Sequence, residues 1–205
     1  MAVVNDITAF VLAGGKSVRM GSDKALLELK GRTLLERALD LARSITPEVI
    51  IVGERNKFSR YGTVVEDVFR ERGPLGGIHA ALAATATDLN LILAVDLPFV
   101  ELKFLKYLIR MAEGTDALVT VPRTTDGAQP LCAVYRSSFG PVAERSLLAG
   151  RNKIDPLFAE VRTLLVEEKE ISAKGFAPET IFRNINTPEE FDHARRQRTH
   201  ALKTH

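Results

Sequence analysis

The chain has 205 residues, 45% hydrophobic and 26% charged, the balance of one globular domain able to bury a sizeable core. A net charge of +2 is too small to mark a nucleic-acid binder, and no apolar run approaches the roughly 20 residues needed to span a bilayer. There is no signal-peptide pattern, and the single cysteine, Cys132, cannot close an internal disulfide, so the expected location is the cytoplasm, with no membrane contact.

Short apolar runs alternate with longer amphipathic stretches, the pattern of βαβ units. Residues 7–12 read as a buried first strand. Residues 33–42 follow as a helix, with Leu34, Leu35, Ala38, Leu39 and Ala42 on one face and Glu36, Arg37, Asp40 and Arg43 on the other. Strands are expected at 49–52, 63–65 and 91–95, with a small-residue helix at 77–86 before the last of them. A helix at 102–111 and a strand at 117–121 come next. Beyond Arg123 the pattern changes to a polar turn at 124–128, a strand at 131–135 running antiparallel at an edge, helices at 142–148 and 154–158, and a strand at 163–167. Pro188 opens a last helix, with Thr187 as N-cap and Glu190 three residues on. With no internal repeat and no low-complexity linker, residues 1–205 read as a single domain. Its expected fold is an α/β three-layer α/β/α sandwich around a mostly parallel, Rossmann-like sheet. Residues 193–205 form a basic, frayed tail in which Arg195, Arg196, Arg198 and Lys203 crowd together. Ligands of such sheets bind beyond the carboxyl ends of the strands, which directs attention to the loops after Leu12, Glu66 and Val95.

The segment Leu12-Ala13-Gly14-Gly15-Lys16-Ser17-Val18-Arg19-Met20-Gly21-Ser22-Asp23-Lys24 is the most informative. Paired glycines after a buried strand let the backbone turn sharply and bring its N–H groups against a ligand. Lys16, Arg19 and Lys24 add cations that suit a polyphosphate. The dinucleotide fingerprint is excluded because Lys16 stands where its second glycine must be. A Walker A loop is excluded because Phe10 stands where its first glycine must be. Two glycines alone are more often a plain βα turn with a solvated cationic face; the length of the string and its fixed cation offsets argue for more.

Asp96 follows an apolar strand, and a charge there needs a partner. A magnesium ion held by the carboxylate, waters and phosphates is one reading; a helix cap or turn former before Pro98 is the other. Asp67 follows the strand at 63–65; its neighbour Glu66 is an alternative acid at the same place, and a cap of the strand by both is the plain reading. Gly73-Pro74-Leu75-Gly76-Gly77 precedes a helix and suits close helix–sheet packing. His79, inside that helix, is read as structural, and Cys132 as core packing.

The string L-A-G-G-K-S-x-R-M-G-x-D-K closely resembles the N-terminal signature of the molybdenum cofactor guanylyltransferases, within the wider family of nucleotidyltransferases. The resemblance implies nucleotide contacts for Leu12, Ala13, Gly14 and Lys24, with Gly15 and Arg19 shaping the loop and the phosphate site. It implies that Asp96 is the magnesium ligand, that Asp67 contacts the nucleotide, and that the Gly73–Gly77 loop walls the nucleotide site. Gln129-Pro130-Leu131 resembles the family's acceptor-side strand. Asn184-Ile185-Asn186-Thr187-Pro188-Glu189-Glu190 is similar to its C-terminal motif, with Asn186 behind the metal or on a metal-bound water. Gly53 is a departure, because the family can carry an asparagine contact there; the contact is then lost or made by Asn56.

The implied reaction transfers GMP from GTP to the terminal phosphate of molybdopterin or Mo-molybdopterin. It depends on Mg2+ and yields the guanine dinucleotide cofactor and pyrophosphate. A phosphate monoester with a second pKa of about 6 is largely dianionic at neutral pH, so no general base is needed, and the sequence offers no Ser-His-Asp or Cys-His set. Catalysis would rest on Lys24, Arg19 and Asp96. The implied partners are GTP, molybdopterin, and proteins that deliver or receive the cofactor. Two rivals remain: a cytidylyltransferase or sugar-phosphate nucleotidyltransferase of the same fold, and a non-catalytic nucleotide-binding module.

Overall fold

β1 (Ile7–Leu12) is buried at every position, as a strand covered on both faces by helices must be. Its side chains alternate: Ile7, Ala9 and Val11 join one core, Phe10 and Leu12 the other. The computed structural model describes residues 7–14, 23–69 and 72–185. Gly15, Lys16, Arg19 and Asn186, together with the helix expected after Thr187 and the basic tail, lie outside them.

The other strands are β2 (Val49–Val52), β3 (Thr63–Val65), β4 (Leu89–Ala94), β5 (Val119–Thr124), β6 (Gly127–Ala128), β7 (Cys132–Arg136) and β8 (Thr163–Glu167). Eight strands form one sheet in the order β3-β2-β1-β4-β7-β5, with β6 and β8 both paired to β5. β1, β2, β3, β4, β5 and β8 run one way, and β6 and β7 oppose them. The mixed but mostly parallel sheet between helices is the expected α/β/α sandwich. Leu12 pairs with both Val52 and Ala94, and Val52 pairs with Val65, so four carboxyl ends finish level. Their following loops share one rim.

The helices are α1 (Leu34–Arg43), α2 (Arg55–Phe58), α3 (Pro74–Ala84), α4 (Leu102–Glu113), α5 (Gly140–Leu148), α6 (Leu157–Glu160), α7 (Glu168–Ala173) and α8 (Pro178–Ile181). Residues from α1, α4, α7 and α8 join the core of Ile7, Ala9 and Val11, while α3, α5 and α6 join that of Phe10 and Leu12. α1 is fixed at its start by a capping box: Glu36 N donates to Thr33 Oγ1 at 3.1 Å, and Thr33 N donates to Glu36 Oε2 at 2.8 Å.

Three differences from the sequence expectation have physical causes. β7 is antiparallel as expected, but it lies inside the sheet between β4 and β5 rather than at an edge. Cys132, Ala133, Val134 and Tyr135 are all fully covered, which an edge position could not achieve. α3 starts at Pro74 rather than at residue 77, because Gly73 takes φ 68°, breaks the chain direction, and leaves Pro74 at the helix's first turn. The four-residue α2 and α8 and the six-residue α7 are too short to leave a readable periodicity.

Candidate active site

The sheet rim gathers most of the described candidate residues. Ala13 N and Gly14 N both donate to Val52 O, at 2.9 and 3.2 Å, which folds the chain over the end of β2 as soon as β1 finishes. A Cβ on Gly14 would stand 3.7 Å from Gly53 Cα, so the two backbones meet where neither carries a side chain. Val95 N donates to Leu12 O at 3.2 Å and brings the chain beyond β4 alongside. Asp96 follows immediately, and its carbonyl accepts from Ile185 N at 3.1 Å, so the C-terminal Asn184-Ile185 segment is tied to the same rim. Ala94 N donates to Leu131 O at 2.8 Å, which holds Gln129-Pro130-Leu131, the break between β6 and β7, beside the end of β4. The Gln129 amide itself donates to Thr124 Oγ1 at 3.3 Å.

Lys24 Nζ donates to Asp96 Oδ2 at 3.0 Å, and both side chains are largely shielded, 13% and 26% exposed. Seventy-two positions apart in sequence, they meet because Lys24 opens a 3-10 turn (Lys24–Leu26) capped by Asp23, whose Oδ1 accepts from Ala25 N at 3.2 Å. Asp23 also pairs with Lys57 Nζ at 3.3 Å, and Lys57 donates to Glu54 Oε1 at 2.6 Å. The Glu54 bond, and secondarily Asp23, hold the Lys57 ammonium above its ordinary pKa. Sequence reasoning missed this Asp23–Lys57 link. Only the Glu54-x-x-Lys57 spacing hinted that a cation would be held after β2.

Asp67 lies at the end of β3 against the first turn of α3. A Cβ on Gly76 would overlap its carboxylate, and a Cβ on Gly77 would come within 3.2 Å of Leu12 Cδ2. The two glycines thus let α3 approach Asp67 and Leu12 together, joining positions 55 residues apart in sequence. Phe69 N donates to Asp67 Oδ1 at 2.8 Å. Burial pushes the Asp67 carboxyl above its ordinary range; the Phe69 N–H, and then the charge of His79, pull it partly back. Glu66, the alternative acid, points elsewhere: it is exposed, and its Oε1 accepts from Arg55 N at 3.1 Å.

Gly53 has its own explanation. A Cβ there would stand 2.9 Å from the ring of Phe58, a side chain only 1% exposed, so the buried ring occupies the space a larger residue would need. Asn56 lies in α2 and is exposed. Cys132 is fully buried and its thiol is pushed up to about 12, which leaves it unreactive packing.

The donor set limits what ion could bind here. Among the described residues no three His, Cys, Asp or Glu side chains cluster as a cage. A structural zinc or a protein-caged calcium site is therefore absent among them. A single, partly exposed carboxylate fits magnesium, which keeps waters and takes the rest of its oxygens from substrate phosphates.

Residues 9–164 match the MobA-like NTP transferase domain. The chain belongs to that family. A "probable molybdenum cofactor guanylyltransferase" of Pelotomaculum thermopropionicum is 38% identical over 190 residues, covering 92% of this chain and 91% of that protein. The crystal structure of molybdopterin-guanine dinucleotide biosynthesis protein A from Archaeoglobus fulgidus superposes with a TM-score of 0.80 at 28% identity, covering 92% of this chain and 96% of that one. The fold alone is shared with a 4-diphosphocytidyl-2C-methyl-D-erythritol synthase of Anaerococcus prevotii, at TM-score 0.67 and 17% identity over 93% of this chain and 97% of that one. MobA-like family membership makes this a nucleotidyltransferase fold with its strand ends at the shared rim. No described helix is long and apolar enough to cross a membrane.

Proposed function

We propose that this protein, acting as one nucleotidyltransferase domain, transfers GMP from GTP to the terminal phosphate of molybdopterin or Mo-molybdopterin and releases pyrophosphate. The observation that carries the reading is the Lys24–Asp96 pair, 3.0 Å apart and partly shielded, which joins the 3-10 turn at Lys24–Leu26 to the loop after β4, in a chain of this family. The reaction brings an anionic phosphate to the α-phosphorus of a polyanion, so its difficulty is electrostatic, and in-line positioning and charge neutralisation can meet it. Magnesium, when bound through Asp96 and the substrate phosphates, would neutralise part of the triphosphate's charge.

The chain's own residues do the rest. Asp96 holds Lys24 in place before substrate arrives, so the ammonium meets the triphosphate without first being ordered. Arg19, Gly15 and Asn186 would keep the roles the resemblance implies: Arg19 on the phosphates, Gly15 in the loop, and Asn186 behind the metal or on a metal-bound water. Leu12, Ala13 and Gly14 line the nucleotide's side of the rim, where the close Gly14–Gly53 approach leaves no side chain in the way; the Ala13 and Gly14 N–H groups are given to Val52 O rather than to a ligand. Asp67 faces the base. An ionised carboxylate only accepts hydrogen bonds, and guanine alone among the common bases presents two adjacent donors, N1–H and N2–H2, on one edge.

The test is pyrophosphate release with purified molybdopterin, magnesium and each of GTP, CTP, ATP and UTP in turn. Release with GTP, lost by on the order of 100-fold or more in Asp96→Asn at unchanged melting temperature, is the expected result. Preferential turnover of CTP would move the protein to the cytidylyl rival. No release with any nucleotide would make it a binding module.

A further inference from the structure

His79 has no part in that chemistry, yet its setting in α3 is unusual. The residue is 8% exposed, and its Nδ1 is a buried polar atom with no hydrogen-bond partner. Such atoms are rare in folded cores, because an apolar side chain of similar shape would fold at lower cost. One neighbour, Phe69, connects it to the rim. The Phe69 ring meets the imidazole edge-on, with centroids 5.0 Å apart and planes at 82°. The Phe69 N–H is the donor that holds Asp67 Oδ1. His79 also lies three residues after Gly76, the position against which the Asp67 carboxylate rests, and so it stands on the same helix face one turn further in.

We propose that His79, acting through Phe69, is a positioning residue that fixes the Asp67 carboxylate in the pose that reads a donor-rich base edge, and so sets the preference for guanine. The inference rests on the reading of Asp67 given above. Phe69 links the two: its ring packs on the imidazole while its backbone orients the carboxylate. The polar edge left without a partner then has a reason. It keeps a ring dipole on the helix that carries Gly76, against which the Asp67 carboxylate rests.

Calorimetric titration of the full chain with GTP and with inosine triphosphate, which lacks the N2 amine, separates the possibilities. The wild type is expected to prefer GTP by ~10-fold, the size of one charge-assisted hydrogen bond. Asp67→Asn should bring the ratio near one; a ratio kept at the wild-type value there would remove Asp67 from the base and end the reading on which the inference stands. His79→Leu should lose the preference as well, with melting temperature unchanged or raised, because an unpaired polar atom is removed. His79→Asn, which keeps a polar atom near Nδ1, should retain most of it. If His79→Leu keeps the full ratio while Asp67→Asn loses it, the positioning role is wrong and the base reading survives. Should His79→Leu fail to fold, Phe69→Leu carries the same test: a full ratio overturns the inference and a collapsed one upholds it.

Discussion

Asp67, Gly53 and Lys24 show how single residues at the rim are constrained by neighbours in other elements. Asp67 is a carboxylate that burial opposes, so the folded chain binds its proton more tightly than the unfolded chain does. Whatever this group adds to stability is present below its ordinary pKa of 3.8 and is lost as pH rises through the raised folded value. Asp67→Asn is therefore expected to raise the melting temperature at neutral pH. The gain should vanish as melts are taken down through the interval just above 3.8, while nucleotide affinity falls throughout. A loss of stability at pH 7 would contradict the assigned burial cost. The sequence showed Asp67 and Lys24 as candidates by their place after strands. It could not show that Gly76 is a glycine because of Asp67, or Gly53 because of Phe58, since both relations are contacts across separate elements.

At the scale of elements, the long amphipathic helices were legible, and of the short ones only α6 was, its expected span of 154–158 overlapping Leu157–Glu160. α1 and α4 carry enough turns for an apolar stripe to repeat; that Thr33 stands before α1 as its cap, paired with Glu36, was shown by the structure. Thr33→Ala should cost about 1 kcal/mol by removing the cap, which for a chain of this size lowers the melting temperature by roughly 2–4 °C. Denaturant titration would measure the first and calorimetry the second; no change in either would mean that tertiary packing alone sets the helix start. The same element orders the chain just after Lys24, through Leu34 N donating to Leu27 O at 3.0 Å, so nucleotide affinity should also weaken slightly. β7 was legible as a strand, yet its place was not. Apolar residues at Cys132 to Tyr135 say that both faces are covered without saying whether another strand lies on each side; only pairing with β4 on one side and β5 on the other puts it in the interior.

Across the whole molecule, two cores on opposite faces of one sheet hold the rim level. Phe104 is fully buried in the first of them, with Phe176 and Phe182 edge-on at 5.3 and 5.4 Å. These contacts fasten the segment leading to Ile185, and so to the Asp96 carbonyl, onto α4. Phe104→Ala should destabilise the fold by about 3–5 kcal/mol and be felt at the rim as weakened nucleotide binding. A stability loss with affinity intact at temperatures well below melting would show that the Ile185–Asp96 tie is independent of that packing. By itself the sequence determined the class of fold, its alternation of strands and helices, and the glycine and lysine loop with its following acids, because hydrophobic period and turn chemistry are local properties. Which of those acids meets which cation, which glycines admit a neighbour, and that β7 lies inside the sheet were decided only by the tertiary structure. Those facts depend on the level alignment of strand ends and on how close helices come to them, and no stretch of chain encodes such distances alone.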